Sequence, residues 1–202
     1  MTLAAKAIDL ALAAGVSPLL KHHGFRKDRR RYWLRTSTAL LQVSVQASQW
    51  NHDLRARLTF NLGVSVPAVE ALLARPEGAS PSKRENITAG IRIGHLLPAP
   101  EDYWWELKPG ESNTEAASSM RDAIANSALP WLNELATLEG LKRRAGEIPG
   151  IVNVPSLAAA SAALLLGEES LASSIARQYI AHPAGSAEWG RRWASQNNVA
   201  VT

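Results

Sequence analysis

The chain has no cysteine among its 202 residues. That removes disulfides, thiolate metal sites and cysteine nucleophiles together, and it fits a reducing compartment, so a cytoplasmic location is expected. Long apolar runs are missing too. The longest, Leu157 to Leu166, is broken by Ser161 and falls well short of the roughly 20 residues a membrane crossing needs. The opening stretch MTLAAKAIDLALAAG carries a single basic residue, Lys6, and Asp9 interrupts its apolar pattern. It reads as an amphipathic surface helix rather than a secretory leader. No GxSxG, GxGxxG or Walker pattern occurs, and the glycine of NLGVSV lies inside a strand pattern rather than in a phosphate cradle. His22, His23, His52, His95 and His182 form no HxH, HxxxH or HExxH spacing. Adjacent histidines on a helix point about 100° apart and cannot share an ion. No catalytic residue, metal ligand or cofactor site is therefore assigned.

What the chain does have is a globular hydrophobic content of 46% and a net charge of +4 distributed unevenly. From Lys21 to Arg35 seven basic residues face only Asp28, a local net of +6, and from Glu101 to Glu139 eight acids face Lys108 and Arg121, a local net of −6. The basic run, with Tyr32 and Trp33 beside it, is a candidate contact for nucleic acid. As a solvated hairpin lead-in it needs no partner, because the acidic stretch is an internal counterweight.

The hydrophobic period divides the chain. Residues 2–14 follow a helical stripe through Ile8, Leu12, Val16 and Leu19, and Ser17-Pro18 looks like the start of a second short helix ended by Gly24. The period then drops to two. Tyr32 and Leu34 alternate with Trp33 and Arg35, Leu41 to Ala47 with Gln42 to Ser48, and Leu54 to Val64 with Arg55 to Ser65. Such runs joined by short polar turns make an antiparallel meander with one buried and one polar face. Pro67 to Arg75 reads as a short helix and residues 76–86 as a loop rich in Pro, Gly, Ser and charge. Ile87 to Ile93 is expected as a fourth strand and Tyr103 to Leu107 as a fifth, on an edge. Thr114 is expected to cap a helix with Met120, Ile124 and Ala128 on one stripe, kinked or restarted at Pro130. The fold class expected is α+β. A sheet of four to five antiparallel strands packs on helices over residues 4–146, and a helical extension over 151–197, with a boundary at Pro149-Gly150, docks through Leu164, Leu165, Leu171, Ile175 and Ile180.

The ordered motifs Gly24-Phe25, Trp33, Val45-Gln46, Phe60-Asn61-Leu62-Gly63-Val64, Arg92-Ile93-Gly94, Trp104-Trp105 and Leu129-Pro130 with Leu132 resemble the bacterial family called domain of unknown function 4304, across about residues 4–140. The resemblance implies an α+β fold with an antiparallel sheet. The family has no assigned activity, so the resemblance adds no chemistry.

Strand parity supplies the functional candidates. Opposite the buried positions lie Trp33, Arg35, Gln42, Ser44, Gln46, Arg55, Arg57, Thr59, Asn61 and Arg92. Trp104 and Trp105 point to opposite faces, one toward the core and one outward. Guanidinium forks, amides and an outward tryptophan suit an anionic or carbonyl-rich partner. The binding set is Arg57, Arg92, Asn61, Gln46, Arg55, Trp33 and Trp104, with Arg57, Arg92, Asn61 and Gln46 expected on one surface. A one-residue bulge at Gly63 or Gly94 would turn the remaining side chains of that strand to the other face. The expected function is a non-catalytic binding protein, an immunity-type role included, whose partner is another protein or an anionic ligand, with no membrane. The alternatives are a hydrolase or nucleic-acid-processing enzyme dispersed around Arg57, Arg92, Asn61 and His95, and a nucleic-acid binder working through residues 21–35. Glu101, Asp102 and Glu106 cluster near the fifth strand and read as solvated carboxylates.

Overall fold

The computed structural model describes residues 1–73, 87–148, 152–153 and 155–201. The loop expected at 76–86 and the boundary expected at Pro149-Gly150 lie outside these residues. Helix α1 (Leu3–Ala14) is capped by Thr2, whose hydroxyl accepts the Ala5 amide at 3.2 Å. It passes at Gly15 directly into α2 (Val16–His22). A β-carbon on Gly15 would fall 2.2 Å from the carbonyl oxygen of Ala117, so the helix junction needs a residue without one. Ser17 does not cap α2. It lies inside the helix, and its hydroxyl shares a 2.7 Å hydrogen bond with the Tyr32 phenol.

The sheet comprises β1 (Arg26–Asp28), β2 (Arg31–Arg35), β3 (Leu40–Ala47), β4 (Ala56–Ser65), β5 (Ala89–Arg92) and β6 (Trp105–Leu107), with α3 (Pro67–Leu72) between β4 and β5 in sequence. Its order is β1-β2-β3-β4-β5, and β6 also pairs with β4, so β5 and β6 share one edge of the ten-residue β4. The alternating runs become β2, β3 and β4 as expected. The corrections fall at their ends. Leu54 is 83% exposed and precedes β4. The strand expected over Ile87 to Ile93 is shortened to Ala89–Arg92, because Ile93 opens a 3₁₀ turn, Ile93–Leu96, that contains Gly94. Gly63 lies within β4, where a β-carbon would meet Ile87 Cδ1 at 2.7 Å; the Ile87 side chain takes the space that a side chain would need.

Helix α4 (Thr114–Ala123) starts one residue after Asn113 rather than after a capping Thr114. The Asn113 side chain is committed elsewhere, accepting the Lys108 amide and donating to the carbonyls of Lys108 and Glu111. Before Pro130 the helix widens into a π segment, Ile124–Ala128, and continues as α5 (Leu129–Leu135). Proline has no N–H to offer the preceding turn, and a π segment absorbs that missing bond without ending the helix. Next come α6 (Leu138–Arg144), β7 (Glu147–Ile148), β8 (Val152–Asn153), α7 (Leu157–Leu165), α8 (Glu169–Ala181) and α9 (Ala187–Gln196). Ser186 caps α9, its side chain accepting the Trp189 amide.

The chain forms two compact units. The first holds Met1–Leu34, Leu41–Leu62 and Ile91–Leu132. Its core is Ile8, Leu12, Val16 and Leu20 of the first two helices, Leu41, Leu58, Phe60 and Trp105 of the sheet, and Met120 and Ile124. The second holds Arg35–Leu40, Gly63–Gly90 and Asn133–Thr202. In it α7 packs on α3, α6 and α8, and α8 packs on α9. The seam is made of small residues: Ala160, Ala163, Ala172 and Ala176 are fully buried around Trp193. Such close contact between helices leaves the long side chains at the margin. Leu165 and Leu171 are each 40% exposed, and Leu164, Ile175 and Ile180 are half-buried, which corrects the expectation that all five are buried.

In the same unit Glu134 accepts from both Arg143 and Arg144. Arg143 first, then Arg144, holds its carboxyl below the ordinary 4.5. A depressed carboxylate pKa stabilises the fold above its unfolded value, and that contribution fades as pH falls through the folded value. Glu134→Gln should therefore lower the melting temperature at neutral pH. The gap from wild type should close below pH 4.5, as a thermal melt series across pH would record.

Among the described residues no single helix is long and apolar enough to cross a membrane. Taken together α1 and α2 have the length, but they bend by 41° and bury Ala4, Ala7, Ile8, Ala11, Leu12, Val16 and Leu20.

Candidate functional site

The site lies in the first unit and starts from strand register. The Ser48 amide donates to the Arg57 carbonyl at 3.0 Å. Stepping along an antiparallel pair from Ser48 and Arg57 sets Gln46 opposite Thr59 and Ser44 opposite Asn61. The Ser44 hydroxyl indeed donates to the Asn61 carbonyl at 3.3 Å. On the next strand the Val45 amide donates to the Arg30 carbonyl at 3.0 Å, which sets Arg31 opposite Ser44 and Trp33 opposite Gln42. Asn51 clamps the backbone of Arg57 from the hairpin before it, accepting its amide at 2.7 Å and donating to its carbonyl at 3.0 Å.

On the other edge of β4, Arg57 faces Glu106 and Leu58 faces Trp105. Trp105 turns inward: its Nε1 donates to Ser119 at 3.0 Å, and its ring meets Phe60 edge-on at 5.4 Å. Trp104 is thereby sent to the polar side. There the Arg57 and Arg92 guanidinium carbons lie 5.7 and 5.5 Å from its ring centre, within cation–π range. Gln46 Oε1 accepts from Asn61 Nδ2 at 3.0 Å and from Arg92 Nη2 at 3.1 Å. Asp102 accepts from Arg92 and from Trp104 Nε1. Glu106 accepts from Arg55, and its carboxylate also lies 3.3 Å from Arg57 Nε. That last approach is an ion contact without hydrogen-bond alignment, since Arg57 Nε has no hydrogen-bond partner.

The charges nearly balance. Three guanidinium groups meet two carboxylates, both held ionised well below neutral pH. Arg92 first, then Trp104, lowers the Asp102 carboxyl, with a smaller effect from His95. Arg55 first, then Arg57, lowers Glu106. Among the described residues three buried side-chain atoms have no hydrogen-bond partner: Arg57 Nε, Thr59 Oγ1 and His95 Nδ1. Buried orphan donors and acceptors cost about 1–3 kcal/mol each and are rare in native proteins. Two of these lie on β4 of this face, and the third is in the turn after β5.

Of the expected residues, Arg57, Arg92, Asn61, Gln46, Arg55 and Trp104 form one connected set. Trp33 stands apart, at the β1–β2 hairpin, with the Arg26 guanidinium carbon 5.5 Å from its ring centre. Sequence reasoning missed the roles of Asp102 and Glu106 as the arginines' counter-ions, and it missed the complete burial of Thr59. The Arg57–Glu106 pairing rests on strand register, for which the sequence carries no signal. Among the described residues no group of three or more His, Asp or Glu is arranged to hold a metal. A groove of about 460 Å³ lies between α1 and the segment from Gly110 to Ala117, and none of the face residues lines it.

No curated protein and no solved structure matches the chain. One family model does, over residues 16–134, and its description is a domain of unknown function, DUF4304. The match spans more than half of the chain, from the second helix through the whole polar face to α5, and the chain belongs to this family.

Proposed function

We propose that the chain is a non-catalytic cytoplasmic binding protein, bacterial in type, whose polar sheet face takes an anionic group of its partner, a carboxylate or a phosphate. An immunity-type role belongs to this class. The reading is carried by the convergence of Arg57 and Arg92, from two strands, on the Trp104 ring. Their present counter-ions are exposed, with the Asp102 and Glu106 side chains at 55% and 53%. Ion pairs this open to water add little to stability, so one anion exchanges for another at small cost. A hydrolase on the same face would need an activated nucleophile or an aligned acid–base pair. Among the described residues His95 Nδ1 has no hydrogen-bond partner to orient it, which favours binding over chemistry.

The test is the double variant Arg57→Gln/Arg92→Gln, titrated with poly-L-glutamate and with a 15-nucleotide oligothymidylate while tryptophan fluorescence is recorded. Wild type should bind at least one of these polyanions, and the variant should lose about tenfold or more in affinity while its melting temperature stays within about 2 °C, as for exposed pairs. A drop of several degrees with binding unchanged would make the arginines structural partners and end the proposal.

A further inference from the structure

We infer that the anion this face takes is a single-stranded nucleic acid, an inference that rests on the proposed binding role. The β1–β2 hairpin extends the face with cations that the fold does not consume. Two of its basic residues are used to anchor it. Arg30 donates to Asp9 at 2.8 Å and to the Ala5 carbonyl at 2.9 Å, and Lys27 donates to Ser17 at 3.2 Å. The side chains of Arg29 and Arg31 are exposed and make no ion pair or hydrogen bond among the described residues, even though Asp28 is the register partner of Arg31. Arg26 is exposed and lies over Trp33.

These groups continue the rows of the polar face. Arg31 lies opposite Ser44, which lies opposite Asn61; Trp33 lies opposite Gln42 and beside Arg26. From β1 to β4 the distance is three strand spacings, about 14 Å. Across it the surface offers guanidinium groups for phosphates, two half-buried tryptophans for base stacking, and the amides of Gln42, Gln46 and Asn61 for base edges. Stacking on aromatic rings beside a cationic track is how sheets hold single strands without sequence preference. An acidic protein would use the cations and have no need of the two tryptophans beside them. A duplex would reach the cations but keep its bases stacked out of reach.

The experiment measures binding of the 15-nucleotide oligothymidylate, a 15-base-pair duplex and poly-L-glutamate across a salt series. Wild type should prefer the single strand. Arg29→Gln/Arg31→Gln should reduce the steepness of the log affinity against log salt plot by about 1 to 1.5, as for two lost phosphate contacts. Trp33→Leu should weaken the single strand about tenfold and leave the salt dependence unchanged, and Trp33→Phe should restore most of the loss because it keeps a stacking surface. Duplex bound as tightly as single strand overturns the inference, as does a Trp33→Leu variant that binds like wild type. Poly-L-glutamate bound through Arg57 and Arg92, with the oligothymidylate unbound, overturns this inference alone. Binding of no polyanion overturns the anion-binding role with it.

Discussion

Trp193→Ala is expected to cost about 3–5 kcal/mol and to lower the melting temperature by roughly 6–20 °C. Trp193 is fully buried among Leu157, Ala160, Ala163, Ala172 and Ala176. Its Nε1 donates to Ser161 at 2.9 Å in the same buried seam. Truncation removes the largest side chain of that cluster and leaves a cavity walled mainly by alanines, with Leu164, Ile175 and Tyr179 only partly buried against it. It also leaves the buried Ser161 hydroxyl without this partner, which adds to the loss. Trp193→Phe should retain much of the packing and lose the hydrogen bond, falling between alanine and wild type. Hydrogen exchange should place the damage in α7, α8 and α9. An alanine variant that melts within a degree or two of wild type would contradict this account of how the C-terminal helices are held.

The second large effect is a gain. Asp102→Asn/Glu106→Gln should raise affinity for a polyanion about five- to tenfold and steepen its salt dependence. The two carboxylates are the present occupants of Arg92, Arg55 and Arg57. Neutralising both leaves three guanidinium groups uncompensated on one face, and an incoming anion no longer has to displace a competitor. Asn at 102 can still accept from Trp104 Nε1, so the indole keeps its position. Titration of the double variant beside wild type, by the same tryptophan signal, measures the change. Unchanged or weaker binding would mean that the carboxylates shape the face rather than occupy it.

Several features of this site were legible before any fold was known, because period-two patterning is a local signal. Arg57 and Asn61 alternate with the buried Leu58, Phe60 and Leu62, and that alone assigns their side of the sheet. The inward and outward roles of Trp105 and Trp104 come from the same parity. β1 was not legible: Arg26, Lys27 and Asp28 are all exposed, so nothing alternates, and the strand exists because β2 pairs with it. Leu54 was over-read because the alternation runs on past the residue at which β4 begins. The partnership of Arg57 with Glu106 depends on the register of two strands about fifty residues apart, which composition and spacing do not carry. The helical character of residues 151–197 was legible, but the side that packs was misjudged. Large aliphatic side chains were weighed above alanines, and in closely crossing helices the small residues occupy the seam.

The most direct test of the anion-binding face is a two-dimensional nitrogen–proton spectrum of the labelled protein during titration with oligothymidylate. Trp104 Nε1–H donates to Asp102 at 3.2 Å, and both Arg57 and Arg92 lie beside its ring. Displacement of Asp102 by an incoming phosphate must therefore move this indole resonance and the side-chain Nε–H signals of the two arginines. The account predicts that these three shift together and saturate at one dissociation constant, while the indole signals of the buried Trp105 and Trp193 stay in place. Shifts confined to other surfaces, with the Trp104, Arg57 and Arg92 signals unmoved at saturation, would contradict it.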